Sequence, residues 1–173
     1  MEYERRFRLD RVPEGMSGPS ELIRQAYWTL GDGWILRVRR TGEDDNTAGT
    51  EVAIKGPRSG FQRAEFEFFL AQAKGMPSVS EVKNATDDLF RASGGHIVVK
   101  TRTSYLASDG LAWDIDVFHF DNEGLVIAEI ELPSALGVAA ISKPEWAAED
   151  VSENRSYDND TLAFRPWNRR KSL

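Results

Sequence analysis

Polar and apolar positions alternate one for one through much of this chain, the period of strands rather than helices. Residues 2–9 set Glu2, Glu4, Arg6 and Arg8 on one face, with Tyr3, Phe7 and Leu9 on the other. A second strand is predicted over 22–30, ended by the hairpin signal Gly31-Asp32-Gly33. Over 34–40, Leu36 and Val38 oppose Arg37 and Arg39; over 51–55, Val52 and Ile54 oppose Ala53 and Lys55. The polar stretch 41–50 reads as the loop between them, and Gly56-Pro57 closes the fourth strand. Next, Arg63, Glu65 and Glu67 share one face against Phe66 and Phe68, in a segment expected to turn helical near 69–71 and end at Gly75. An amphipathic helix follows over 79–92, capped by Ser78 or Ser80 and stopped by Gly94-Gly95. Strand signals resume at 96–104, 112–120 and 125–132, with turns at 108–110 and 122–124. Pro144 is expected to open a short helix over 144–151, and the end, RPWNRRKSL, reads as a basic, disordered tail. The pattern predicts a mainly β (α+β) fold, with one domain over 1–165 and the tail over 166–173. No repeat or linker interrupts it.

The polar faces carry more than solvation requires. Glu2 and Glu4, Arg37 and Arg39, Lys100 and Arg102, Asp114 and Asp116, and Glu129 and Glu131 are i, i+2 pairs, so both members leave the sheet on one side. Solvated antiparallel faces are normally polar, but these pairs segregate by sign within each strand. The acidic strands are also flanked by apolar neighbours: Trp113, Ile115 and Val117 around the aspartates, Ala128, Ile130 and Leu132 around the glutamates. Such strands are covered outside, with the charges facing something enclosed. Eight strand candidates allow closure into a barrel able to hold one small ligand. Charges of both signs in a lumen must pair with each other or meet a ligand. Carboxylates suit hard divalent cations, and arginines and lysines suit phosphate oxygens.

Composition narrows the chemistry. The 173 residues suit one domain, with 40% hydrophobic and 29% charged positions as in a folded protein. The absence of cysteine removes disulfides, thiolate metal sites and thiol nucleophiles, and two histidines, His96 and His119, leave little for a histidine-based site. A net charge of −6 argues against a general nucleic-acid binder. No apolar run approaches the roughly 20 residues of a membrane span. A chain start charged from its second residue is not expected to be a signal peptide. These features predict a cytoplasmic protein acting through carboxylates, lysines and arginines.

Over nearly its full length the chain resembles the CYTH domain, or triphosphate tunnel metalloenzyme, superfamily. The ExExK signature is similar to Glu2-Tyr3-Glu4-Arg5-Arg6, the RxR strand to Arg37-Val38-Arg39, and the lysine strand to Ile54-Lys55-Gly56-Pro57. RxExE resembles Arg63-Ala64-Glu65-Phe66-Glu67, KxR resembles Lys100-Thr101-Arg102, and (E/D)xDxF resembles Asp114-Ile115-Asp116-Val117-Phe118. ExE resembles Glu129-Ile130-Glu131, and the YxN element Tyr157-Asp158-Asn159. The resemblance implies an eight-stranded antiparallel tunnel with a charged lumen and flanking helices, hydrolysing triphosphates with Mg²⁺ or Mn²⁺. It implies metal ligands among Glu2, Glu4, Asp114, Asp116, Glu129 and Glu131. Arg6, Arg37, Arg39, Lys55, Arg63, Lys100 and Arg102 would clamp phosphate. Lys55 would protonate the leaving group, while Glu65 or Glu67 would orient water or pair with Arg63 or a lumen arginine. Asp150 would add a tunnel contact or stay solvated; Tyr157 and Asn159 would pack the terminal segment.

Inorganic tripolyphosphate leads as substrate because no aromatic cage is recognisable. Thiamine or nucleoside triphosphates stay open, with Trp28, Trp34 or Trp113 available to stack, as does a non-catalytic polyphosphate-binding module. Adenylate cyclase activity is disfavoured, since the His-Phe element of class IV cyclases does not precede Glu2. No nucleic-acid or membrane partner is expected, and the chain would be a monomer or homodimer. One residue departs from the pattern: Arg6 stands where the signature has lysine, keeping the charge as a planar fork that cannot serve as a proton donor.

Overall fold

The computed structural model describes residues 2–42, 49–59, 62–69 and 78–170, apart from the side chains of Glu2 and Val79. Period-two alternation becomes strands β1 (Glu2–Leu9), β2 (Ser20–Gly31), β3 (Trp34–Thr41), β4 (Thr50–Lys55), β5 (Gln62–Arg63), β6 (Glu65–Phe69), β7 (Ile97–Leu106), β8 (Ala112–Phe118), β9 (Val126–Glu131) and β10 (Glu149–Asp150). All pairings are antiparallel, in the order β10-β1-β9-β8-β7-β2-β3-β4-β6. Closure comes from β5. Glu2 and Tyr3 of β1 oppose Arg63 and Gln62, and after Ala64 the same run pairs with β4 as β6. Eight strands thus enclose a lumen, counting β5 and β6 as one. The second edge of β1 is shared, with β5 on its first residues and β10 on Phe7 and Arg8.

Apolar faces pack outward under the connecting segments. Phe7, Leu9, Trp113, Ile115, Ala128 and Ile130 form one buried cluster with Ala147, and Trp146 stacks edge-on against Trp113 at 5.1 Å. A second cluster fills one end of the lumen: Tyr27, Ile35, Val98, Phe118 and Ile127 meet Val151, Tyr157 and Leu162. Helix α1 (Val79–Ala92) starts at a capping box between Ser78 and Glu81 and buries Val82 and Thr86, with Asp87 receiving Arg40 of β3 at 2.7 Å.

Several expectations need correction. Residues 144–151 form no helix: 144–147 close a turn, and the free edge of β1 then draws the chain along it, with Ala148 N–H donating to Arg8 O at 3.0 Å and Val151 N–H to Arg6 O at 2.9 Å. A short helix not foreseen, α2 (Ala135–Ala140), is capped by Ser134 instead. The last turns form α3 (Asn159–Phe164) and α4 (Trp167–Arg170). Trp167 N–H donates to Asn122 Oδ1 at 2.8 Å, and its ring stacks on Tyr157, so this part of the expected tail is docked rather than disordered. The expected helical turn near 69–71 with its end at Gly75, most of the 41–50 loop, and residues 171–173 lie outside the described residues. Among the described residues no helix is long and apolar enough to cross a membrane.

Candidate active site

The enclosed space is a polar cavity of about 560 Å³. Strand alternation aims its lining: Ile35, Arg37 and Arg39 from β3, Lys55 from β4, Glu65 and Glu67 from β6, Arg102 from β7, Asp114 from β8, Glu129 and Glu131 from β9, Glu4 and Arg6 from β1. Arg63 also lines it, but its Nε and Nη2 donate to Gly56 O at 3.2 and 2.9 Å, pinning the turn before β5. Lys100 and Asp116 face the lumen yet stand behind the wall, both fully buried and joined at 2.5 Å. The side chain of Glu2 lies outside the described residues.

Along the strands the lumen is layered. At the apolar end sit Val98 and Phe118; two residues on come Lys100 and Asp116; two further on, Arg102 and Asp114 reach the cavity. Asp116 accepts Arg102 Nε and Nη2 at 2.7 and 2.6 Å, and Asp114 accepts Arg102 Nη1 at 2.9 Å, so this arginine is braced from one strand. Its Nη2 also donates to Glu129. Burial alone would raise the Glu129 carboxyl, but Lys100, Arg102 and Arg6 hold it far below the usual carboxylate range. Burial and then Arg102 push the Lys100 ammonium below its ordinary range, against the pull of Asp116 and Glu129.

On the opposite wall Arg37 donates to Glu51 and, at 2.8 Å, to Glu67, while Lys55 Nζ donates to Glu65 at 2.7 Å. The two RxExE carboxylates therefore serve Arg37 and Lys55 rather than Arg63. At the third corner Arg6 donates to Asp158, and Arg58 donates to Glu4 at 2.5 Å. The backbone N–H of Arg6 donates to Ser152 Oγ at 3.0 Å.

The strand pattern did not single out Arg58, Asp158, Asp160 or Tyr27, yet all line the cavity. Three of them lie on a turn or a helix start, where no period aims a side chain; only the charge of Arg58 after Gly56-Pro57 hinted at its place. Tyr27, opposite Arg37 on β2, supplies the only ring among the described lining residues, its hydroxyl hydrogen-bonded to the Gln25 side-chain amide. Asn159 lines the cavity as well, against the expectation that it only packs the terminal segment. Trp113 packs outside, Trp34 lies over Gly56, and Trp28 is half-buried away from the cavity. Asp150 serves Arg5 and Ser152 outside the barrel, while His96 rests on Phe164 and His119 meets Thr101.

Two observations define what this arrangement accepts. First, the Nε–H groups of Arg6, Arg37 and Arg58 are buried and donate to no acceptor, although all three side chains line the cavity. Buried donors of this kind call for acceptor-only, oxygen-rich ligands. Second, seven cationic and eight acidic described side chains line it, so a bare polyanion meets no net attraction. The acidic surplus lies on β1 and β9, where Glu4 and Glu131 are direct cross-strand partners and Glu129 follows on the same face. An all-oxygen donor set of this kind fits a hard divalent cation. Among the described residues no three acidic or histidine side chains form a ready-made metal group. Glu4 is held by Arg58 and Glu129 by Arg102 instead.

No protein-family model matches the chain. It is 31% identical over 146 residues to an inorganic triphosphatase of Acetivibrio thermocellus, covering 84% of this chain and 82% of that protein. To an inorganic triphosphatase of Nitrosomonas europaea it is 30% identical over 164 residues, 94% of this chain and 97% of the other. Among solved structures, that of the inorganic triphosphatase NE1496 superposes with a TM-score of 0.64 at 27% identity, covering 94% of each chain.

Proposed function

Since the chain belongs to the CYTH, or triphosphate tunnel metalloenzyme, family, we propose that it hydrolyses linear triphosphates in this cavity, inorganic tripolyphosphate foremost, to pyrophosphate and phosphate with Mg²⁺ or Mn²⁺. The observation that carries the reading is the set of buried guanidinium N–H groups on Arg6, Arg37 and Arg58 that find no acceptor around a cavity of about 560 Å³. A phosphate chain offers such acceptors along its length. Tyr27, engaged with Gln25, is the single ring among the described lining residues, which favours an inorganic chain over a thiamine or a base.

Arg37, Arg39, Lys55, Arg6 and Arg102 bind and align the phosphates, with Arg63 beside them. Fixed in place by the wall carboxylates, they stabilise developing charge with little reorganisation. Lys100 supports Arg102 through Asp116 from behind the wall. Glu4, Glu129 and Glu131, with Glu2 and Asp114, are the residues to hold the cation; Asp116 stands behind them. When bound, the cation supplies charge neutralisation at the phosphate oxygens and polarises water. Water forms the new bond to a terminal phosphorus and the bridging P–O bond breaks. Lys55 Nζ gives its proton to the departing pyrophosphate. Glu65, 2.7 Å from that ammonium, takes the proton the water releases and returns one to Lys55.

Phosphate release from tripolyphosphate, ATP and thiamine triphosphate, each with Mg²⁺, Mn²⁺ or EDTA, tests the reading. Cation-dependent release, greatest with tripolyphosphate and lost in Glu4→Gln, is the expected result. Tight tripolyphosphate binding without turnover under either cation would make the protein a binding module instead.

A further inference from the structure

Arg58 belongs to none of the alternating strand pairs, yet it reaches the site from the segment that follows β4. Ser59 and Gln62 exchange backbone hydrogen bonds at 2.8 and 3.2 Å, and Arg63 clamps Gly56 O from the other side. The Arg58 side chain is 8% exposed. Its Nη2 donates to Glu4 Oε1 at 2.5 Å, and Asp158 Oδ1 lies 3.8 Å from its Nε. That Nε–H is buried and has no acceptor. The guanidinium thus has one arm on a carboxylate placed to hold a cation and one donor unsatisfied at the cavity.

We propose that Arg58 couples cation binding to phosphate binding. Arg58 and a divalent cation compete for Glu4, since the guanidinium charge 2.5 Å from Oε1 repels a cation drawn to the same carboxylate. A phosphate chain relieves the competition, because its oxygens accept both the Nη2–H released from Glu4 and the buried Nε–H. The cation is therefore opposed until the substrate arrives, and each strengthens the other by reciprocal linkage. Arg37 differs: its partners are Glu51, Glu65 and Glu67, on strands away from Glu4. It touches phosphate without touching the cation site. The proposal rests on the reading of the cavity as a metal–triphosphate site.

Calorimetry tests it without turnover, measuring Mn²⁺ binding in the absence of phosphate and tripolyphosphate binding in EDTA. Arg58→Gln should bind Mn²⁺ tighter by about tenfold, a typical coupling strength, while binding tripolyphosphate more weakly. Arg37→Gln should weaken tripolyphosphate and leave Mn²⁺ affinity at the wild-type value. Arg58→Lys, which keeps the charge, should bind Mn²⁺ close to wild type, showing that the gain in Arg58→Gln follows the charge and not a disturbed fold. If Arg58→Gln binds Mn²⁺ no tighter than wild type while Arg37→Gln behaves as stated, the coupling role is overturned and the site reading stands. If the wild-type protein binds neither ligand even when Mn²⁺ and tripolyphosphate are supplied together, both are overturned.

Discussion

Lys55 shows how much a single position can be asked to do. Its ammonium lies on the cavity wall, 2.7 Å from Glu65, so it carries both a charge for phosphate and a transferable proton. Arginine at the same place keeps the first and loses the second, because a guanidinium stays protonated at any working pH. Lys55→Arg is therefore expected to lower kcat about 10²- to 10⁴-fold, the usual range for a lost general acid, with KM for tripolyphosphate within a few-fold. Equal losses in affinity and turnover would reduce Lys55 to a binding charge. Arg6 makes the converse point. Its Nη2 reaches Asp158 and, at 3.4 Å, Ser152 O, while its Nε lies 3.4 Å from Glu4 Oε1, so the planar fork faces two carboxylates with separate nitrogens. The departure from the family lysine was plain in the sequence; its partners were not, since Ser152 and Asp158 lie far along the chain on a turn and a helix cap.

At the scale of elements, period-two alternation was sufficient to place eight walls, because one buried face fixes which way every second residue points. It could not place β10, whose two residues are extended only because β1 offers an edge to them. Asp150 secures that edge by accepting from Ser152 N–H and Oγ–H at 3.0 and 2.6 Å and from Arg5. Burial alone would raise its carboxyl, but these donors hold it below the ordinary aspartate range. A carboxyl depressed on folding adds stability above its unfolded value, and that contribution is lost as pH falls through the folded one. Asp150→Asn should cost about 0.5–1 kcal/mol near pH 7, kept small by solvent screening, and the deficit should shrink on acidification below about pH 4. Denaturant melts of both proteins across that range would reveal it.

Gly18 gives an element-level test on the far side. A Cβ there would collide with the backbone carbonyl of Ser104, and the Ser104 N–H to Pro19 O bond of 3.0 Å keeps the segments from separating. Gly18→Ala is expected to destabilise by about 1–3 kcal/mol in the same melts.

Across the whole molecule the lumen grades from apolar packing, through a sealed ion pair, to a cavity whose charges nearly balance. That balance has a consequence in solution. Neither a cation nor a phosphate chain alone is matched to seven positive and eight negative side chains, whereas the pair together is. Thermal melts should show a small rise in Tm with Mg²⁺ or tripolyphosphate singly and a larger one with both. At a concentration of 100 Kd the shift should correspond to about 2.7 kcal/mol. A Tm that responds to tripolyphosphate equally with and without the cation would contradict it.

The shared edge of β1 also dictates when this site can exist. Strand β1 is made well before its partners: Glu4 pairs with Glu131 and Phe7 with Asp150, more than 120 residues later. Until those residues are made, the apolar side of β1 has no cover and its glutamate has no facing partner. Closure through such distant contacts is slow, since the loop must be ordered before any pairing rewards it. A nascent chain lacking its last strands therefore has every phosphate-clamping residue but no chamber to aim them. The anion site is the last thing the protein acquires, and a chain shortened before β9 should fail to hold polyphosphate however well its hairpins form.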